Sequence, residues 1–268
     1  MAQDPGLGQI SPLPAFRDNY IWLIRRGATA AEPDAHAIVV DPGDAGPVLK
    51  ALADEDLTLD AVFITHACLD HINGIDALTS AHPAPVYGPA SDMITGVSHP
   101  AHDGDTITLA GWPPFTVMAL PGHTLGHLGF YTAGHVFSGD VLFGAGCGRI
   151  KKGGNAEQMF ASLNTLAALP AATQVYCAHE YTLANLQFAQ VVEPGNDRIT
   201  QRIANVSKLR QAGLPSLPTT IAEELATNPF LRCEEAEIAH SASVHADTVL
   251  SNPQAVFTEL RRWKDNFQ

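Results

Sequence analysis

The first two-thirds of the chain alternates short apolar runs with turns and helical stretches. Runs 20–24 and 37–40 are rich in β-branched and aromatic side chains and predict strands. Run 61–64 is apolar at every position, which predicts a strand that is buried on both faces. The remaining predicted strands are 106–109, 115–120, 129–131, 136–138 and 174–177.

Helical patterns occur once in each half of this region and then dominate the end of the chain. Segment 47–54 has Pro47 in its first turn, and segment 156–169 follows Asn155, a residue type that caps helices. From about Tyr181 the chain reads as helices joined by Pro- and Gly-containing segments, at 182–192, 197–212 and 253–263. The pattern predicts a mixed α/β domain over 1–180 and a smaller helical domain over 181–268.

Length, composition and charge narrow the class of protein. The 268 residues are enough for this division, and 46% hydrophobic with 16% charged residues is ordinary for a globular protein. A net charge of -13 argues against nucleic acid as a partner, but it allows a small anionic substrate if the few basic residues cluster.

The sequence gives no sign of a membrane or secretory protein. No apolar run approaches the ~20 residues that cross a bilayer. The first twelve residues lack the basic start and apolar run of a secretory signal. Together with these features, four scattered cysteines, Cys68, Cys147, Cys177 and Cys233, lead us to expect a reduced, cytoplasmic protein.

The densest group of possible metal ligands directly follows the buried strand. In Thr65-His66-Ala67-Cys68-Leu69-Asp70-His71, four side chains of ligand type fall within six residues. Imidazole, thiolate and carboxylate groups together suit zinc and similar divalent metals. The alternative is a helix cap with surface histidines, and the ligand density favours the metal site.

Three later residues repeat one pattern, in which an apolar strand ends and a residue of ligand type follows. His123, Asp140 and His179 each occupy such a position. A single histidine after a strand is commonly a hydrogen-bonded structural residue. Strand ends hold side chains rigidly, as a metal site requires, so the recurrence predicts that these three residues complete a metal site.

The combined motif resembles the metallo-β-lactamase superfamily and, more narrowly, the glyoxalase II (hydroxyacylglutathione hydrolase) family. The similar stretches run from one end of the chain to the other: 18–24, 41–44, 121–127, 146–149, 179–186, 226–232 and 261–265. The resemblance implies an α+β fold, the αββα sandwich of that superfamily, followed by a smaller C-terminal helical domain.

The resemblance also implies two metal sites and a glutathione site. The first metal site would comprise His66, the residue at position 68, His123 and Asp140, and the second Asp70, His71 and His179, with Asp140 bridging both ions. Tyr181, Arg261 and Lys264 match residues that bind glutathione, and Arg149 matches a basic residue beside the site.

The implied reaction is the hydrolysis of S-lactoylglutathione to glutathione and D-lactate by a monomeric enzyme. Two divalent ions, zinc or alternatively iron or manganese, would hold the attacking hydroxide, which Asp70 and Asp140 orient. The alternatives are a glutathione persulfide dioxygenase, another thioesterase of the same fold, or a non-catalytic glutathione-binding protein impaired at Cys68. The long helical domain and the Arg-x-x-Lys ending count against the dioxygenase.

The chain departs from the family pattern in two places. Cys68 stands where the family has histidine. Its thiolate is a strong zinc ligand that reaches less far and weakens the Lewis acidity of the ion. Three outcomes are open: Cys68 binds metal, the first site binds weakly or is empty, or Cys68 is a core thiol. Lys151 and Lys152 replace an aromatic and an acidic residue, and they are either solvated surface or an attraction for an anionic substrate.

Overall fold

The computed structural model describes residues 7–27, 34–151 and 153–267, which form two compact units. The first unit contains the chain up to Ala119 together with Gly126–Gly139, and the second contains Leu120–Leu125 together with the chain from Asp140 onward. This division differs from the domain boundary predicted near residue 180, and that boundary stays a prediction.

The first unit contains two groups of strands and three helices. In chain order its elements are β1 (Gln9–Ala15), β2 (Asn19–Arg26), β3 (Ala35–Val40), α1 (Ala45–Asp54), β4 (Leu57–Phe63), α2 (Leu69–Ile72), α3 (Ile75–Ala81), β5 (Val86–Pro89), β6 (His99–Ala101), β7 (Thr106–Ile107), β8 (Phe115–Ala119), β9 (Leu128–Thr132) and β10 (His135–Gly139).

Strands β1 to β6 form one sheet in sequence order. Pairing is antiparallel from β1 to β3 and parallel from β3 to β6, while β7 to β10 form an antiparallel meander. Residues 61–64 have no solvent exposure, which confirms the prediction of a strand that is buried on both faces. The carboxyl ends of β3 and β4 lie side by side, with Val40 opposite Phe63, so the residues that follow them come close together.

From Asp140 onward, the second unit starts with a short hairpin and then becomes mostly helical. Its elements are β11 (Leu142–Phe143), β12 (Gly146–Cys147), α4 (Ala156–Ala167), β13 (Gln174–Cys177), α5 (Thr182–Val192), α6 (Asp197–Gln211), β14 (Thr219–Thr220), α7 (Ile221–Thr227), a 3₁₀ turn (Pro229–Leu231), α8 (Ala236–Ala246) and α9 (Pro253–Asn266).

The predicted helices of this unit are confirmed, with small differences at their ends. The side chain of Asn155 accepts a hydrogen bond from the backbone N–H of Gln158, which confirms it as the cap of α4. Helix α5 has the predicted bounds, and α9 continues three residues beyond Trp263. Aromatic side chains form much of the core between these helices, where Phe257 packs against Phe160 and Phe230.

Candidate metal centre

Four of the predicted ligands lie in the first unit, where His66 and Cys68 follow β4 and Asp70 and His71 lie on α2; we call these four the first set. His66 and His71 are buried, and their ring centres are 4.1 Å apart. Asp70 Oδ2 lies 3.6 Å from His71 Nε2. Cys68 is half-buried at the start of α2, and its Sγ lies within 4.8 Å of a ring nitrogen of His66. The motif therefore brings its four side chains of ligand type together.

Asp41 fixes the orientation of this segment. It follows β3 with a φ of 54°, and its carboxylate accepts hydrogen bonds from the backbone N–H (2.7 Å) and hydroxyl (2.7 Å) of Thr65. The same carboxylate lies 3.0 Å from His71 Nδ1. With Nδ1 donating to Asp41, the lone pair of His71 is on Nε2, the nitrogen that faces Asp70, which is the tautomer a metal requires.

Two further residues orient ligands of the first set. Asn19 donates from Nδ2 to Asp70 Oδ2 at 3.0 Å. His127 stacks on the ring of His66 at 4.7 Å between centres, with an angle of 22° between the planes. From the sequence, His127 is either a partner of a metal ligand or a plain structural residue, and neither Asp41 nor Asn19 has a predicted role. The available signal for Asp41 was its place in a turn directly after a strand.

The other three predicted ligands, His123, Asp140 and His179, lie in the second unit; we call them the second set. His123, Asp140 and His179 are all buried. Asp140 Oδ2 is 3.4 Å from His123 Nε2, and Asp140 Oδ1 is 3.3 Å from His179 Nε2. Each carboxylate oxygen therefore faces a different histidine, which is the arrangement expected of a carboxylate shared between two ions.

These distances agree with metal coordination. Two ligand atoms bound ~2.0–2.1 Å from one tetrahedral ion are about 3.4 Å apart. The carbonyl oxygen of Arg149 lies 2.7 Å from His123 Nδ1, so His123 presents Nε2 towards Asp140. The donor set of imidazoles, carboxylates and a thiol fits zinc, iron or manganese.

The backbone around Asp140 is held tightly by the hairpin of β11 and β12. The N–H of Gly148 donates to the carbonyl of Val141 at 3.1 Å. A Cβ atom at position 148 would overlap the carbonyl oxygen of Asp140, so only glycine allows this close approach.

Two of the predicted glutathione-binding residues carry groups that suit an anionic ligand. Tyr181 lies flat against His179, with 4.8 Å between the ring centres. Lys264 donates to the carbonyl of Ala184 at 3.1 Å. Burial, together with the nearby positive charges of Arg261 and Arg149, lowers the pKa of Lys264 to about 8.

The two predicted arginines differ in their surroundings. Arg149 is largely exposed, with Nε 3.6 Å from a carboxylate oxygen of Asp265. Arg261 is buried, and it donates to the Cys147 carbonyl and to Asp265, each at 2.8 Å. Its guanidinium therefore already makes two strong hydrogen bonds within the protein.

The structure describes the first lysine of the predicted pair. Lys151 has an exposed side chain, and its N–H donates to the carbonyl of His123 at 2.8 Å. Lys152 lies outside the described residues.

None of the four cysteines forms a disulfide. Within the described residues, no helix combines the length and the apolar character that a membrane span requires.

Residues 16–179 match the family model described as the metallo-beta-lactamase superfamily, and residues 180–267 match the model described as the hydroxyacylglutathione hydrolase C-terminus. ETHE1 from Myxococcus xanthus has a TM-score of 0.60 and 26% identity, covering 95% of this chain and 100% of that one. TTHA1623, solved in a di-iron-bound form, has a TM-score of 0.57 and 26% identity, covering 82% and 100%. These similarities place the chain in the metallo-beta-lactamase superfamily, and they confirm the predicted α+β fold with a C-terminal helical domain.

One relative narrows the assignment within the superfamily. The hydroxyacylglutathione hydrolase of Aeromonas hydrophila is 52% identical over 262 residues, covering 95% of this chain and 98% of that protein. The chain belongs to the hydroxyacylglutathione hydrolase family, as the motifs of the sequence indicated.

Proposed function

We propose that this protein hydrolyses glutathione thioesters, with S-lactoylglutathione as substrate and glutathione and D-lactate as products. The observation that carries the proposal is the carboxylate of Asp140, which presents one oxygen to His123 and the other to His179. Family membership along nearly the whole chain supports the same activity.

We propose that both ligand sets bind the same pair of divalent ions. His66, Cys68 and His123 would hold the first ion, Asp70, His71 and His179 the second, and Asp140 would bridge them. The di-iron form of TTHA1623 supports a two-metal centre in this fold. Zinc is our first choice of metal, because a thiolate ligand favours it over manganese.

When bound, such ions supply Lewis acidity and lower the pKa of bound water to roughly 7. The protein contributes the rigid placement of its ligands and of the substrate. Asp140 and Asp70 orient the attacking oxygen through their carboxylates. Glutathione leaves as a thiolate, which is stable enough to depart without a strong general acid. This agrees with a ligand set in which every carboxylate is assigned to metal.

Substrate binding is assigned to the basic and aromatic residues of the second unit. We propose that Tyr181, Arg149 and Lys264 bind the glutathione portion, since their phenol and cationic groups complement its amides and carboxylates. We also retain Arg261 in this site, where its charge adds to that of Lys264. Holding the non-reacting part of the substrate orients the thioester for attack.

The test is whether the purified protein hydrolyses S-lactoylglutathione, and the reaction is measured through the free thiol that it releases. We expect turnover that a chelator abolishes and that added zinc restores. A protein that holds zinc fully and yet releases no thiol would contradict the proposal. Oxygen consumption with glutathione persulfide would instead identify a dioxygenase, and tight glutathione binding without turnover would identify a binding protein.

A further inference from the structure

The β11–β12 hairpin connects two parts of the proposed metal centre. Asp140 lies two residues before the hairpin, and Arg149, whose carbonyl oxygen lies 2.7 Å from His123 Nδ1, lies two residues after it. A shift of the hairpin would therefore move Asp140 directly and His123 through that hydrogen bond.

Side chains from the helical part of the chain bond to the tip of this hairpin. Glu224 on α7 accepts from the N–H of Ala145 at 2.7 Å. Asn185 on α5 donates to the carbonyl of Gly144 at 3.0 Å, and Asn228, which follows α7, donates to the carbonyl of Gly146 at 2.9 Å. Three consecutive residues of the tip are thus each held by a different side chain.

The tip needs this support because its backbone conformation is unfavourable. Ala145 has a φ of 54°, in the left-handed region that side chains other than glycine disfavour. The hairpin pairs only two residues on each side, so its own ladder holds it weakly. The hydrogen bond from Ala145 to Glu224 stabilises the conformation that the residue would otherwise leave.

Burying the carboxylate of Glu224 at this point costs desolvation free energy. Glu224 is completely buried, and its charge is balanced by Arg202, whose Nη2 donates to Oε1 at 2.6 Å. Thr219 and Asn228 donate to the same carboxylate at 2.7 and 2.9 Å. Apolar residues of equal volume commonly give the same stability as a buried ion pair, so stability alone does not explain why Glu224 and Arg202 are buried here. The hydrogen bond from Ala145 on the hairpin to Glu224 explains it.

We infer that Glu224 is a positioning residue for the metal centre, acting through the amide of Ala145 on the hairpin that begins two residues after Asp140. The helical part of the chain then has a second task beside substrate binding, which is to hold metal ligands in place. The identity of those ligands rests on the proposed function, whereas the hydrogen bonds to the hairpin do not.

The test measures zinc affinity of Glu224→Gln by competition with a chromophoric chelator. Glutamine keeps the size of the side chain but turns an amide N–H₂ towards groups that themselves donate. We expect zinc binding at least about tenfold weaker, in line with the effect of removing residues that orient ligands. At saturating zinc, KM for S-lactoylglutathione should equal that of the parent. Amide hydrogen exchange of residues 142–148 in the metal-free protein should be faster.

A second variant is needed because loss of a buried charge can prevent folding. Asn185→Ala removes one hydrogen bond at the tip and no charge, and it should weaken zinc binding about threefold. Asn196→Ala is the matched control. Asn196 donates to the carbonyl of Ala226 at 3.0 Å and caps α6, so its loss should lower the melting temperature and leave zinc affinity within twofold.

Unchanged zinc affinity and unchanged exchange of the hairpin amides in every variant that folds would overturn the inference. If Glu224→Gln does not fold, Asn185→Ala decides alone. A parent protein that binds zinc without cleaving thioesters would refute the proposed function, and the comparison of zinc affinities would still decide this inference.

Discussion

The two ligand sets are built in different ways. The four ligands of the first set fall within six consecutive residues. Asp41, which orients them, lies only 24 residues before its hydrogen-bond partner Thr65. The second set is spread from His123 to His179, and Glu224, which we infer to support it, lies 79 residues from its hydrogen-bond partner Ala145. One set is a local motif, whereas the other depends on tertiary structure. We therefore expect metal binding by the first set to tolerate substitutions far away in the chain, and metal binding by the second set to be sensitive to them.

Loss of the shared carboxylate should have the largest effect on activity. Asp140→Ala removes a carboxylate that faces a histidine with each of its oxygens. We expect kcat/KM to fall about a thousandfold, which corresponds to about 4 kcal/mol of lost transition-state stabilisation. The measurement is steady-state thioester hydrolysis with zinc in excess. Asp76→Ala, at an exposed carboxylate on α3, is the control and should be neutral.

The next largest effect tests the local support of the first set. Asp41→Asn keeps the size of the side chain but weakens its bonds to Thr65 and to His71 Nδ1. Metal affinity should fall 10- to 100-fold, as typically follows loss of a residue that orients a ligand. Chelator competition gives the value. Asp44→Asn alters only the cap of α1 nearby, and an equal loss there would mean that Asp41 has no special role.

Lys264→Ala should change binding rather than chemistry. We expect KM for S-lactoylglutathione to rise about tenfold with kcat nearly unchanged, because the lysine contacts substrate equally in ground and transition states. Lys50→Ala, on an exposed face of α1, is the matched control. A loss confined to kcat would remove Lys264 from the glutathione site.

The parent enzyme should also show the titration of Lys264 in its pH profile. Its pKa is lowered to about 8, chiefly by burial, so the ammonium is charged below pH 8 and neutral above it. KM should therefore rise as pH increases through 8, since an anionic substrate loses its cationic partner. In Lys264→Ala that rise should disappear. A rise that persists in the variant would come from another group.

The smallest expected effect concerns Cys68. Cys68→His restores the family's residue and removes the thiolate charge that weakens the Lewis acidity of the first ion, so thioesterase activity should rise a few fold. In the cobalt-substituted parent, a thiolate-to-metal charge-transfer band should be present, and this variant should lack it. A fully metallated Cys68→His no faster than the parent would show that the thiol is no handicap.

The sequence predicted much of the fold and less of the support for the site. Continuous apolar runs and caps such as Asn155 identified the main strands and helices because they act locally. Strand β1 was missed, since Pro12 and Pro14 argue against a strand although an edge strand tolerates them. Helix α8 was also missed, and the hairpin of β11 and β12 is too short to show a period.

The candidate ligands could be predicted because metal chemistry restricts the residue types. The residues that orient them could not, since aspartate, asparagine and glutamate are common and their partners lie far away in the chain. Arg261 shows the same limit. Resemblance assigned it to substrate, and the structure additionally shows its bonds to Cys147 and Asp265, which depend on the packing of α9.

The central claim is that both ligand sets bind one pair of ions. A crystal structure of the zinc-loaded protein with anomalous scattering at the zinc edge, together with elemental analysis, tests it directly. The account predicts two anomalous peaks beside Asp140, with His66 and His71 contributing ligands from one set and His123 and His179 from the other. Peaks that contact only one set, or ions bound elsewhere on the protein, would contradict it.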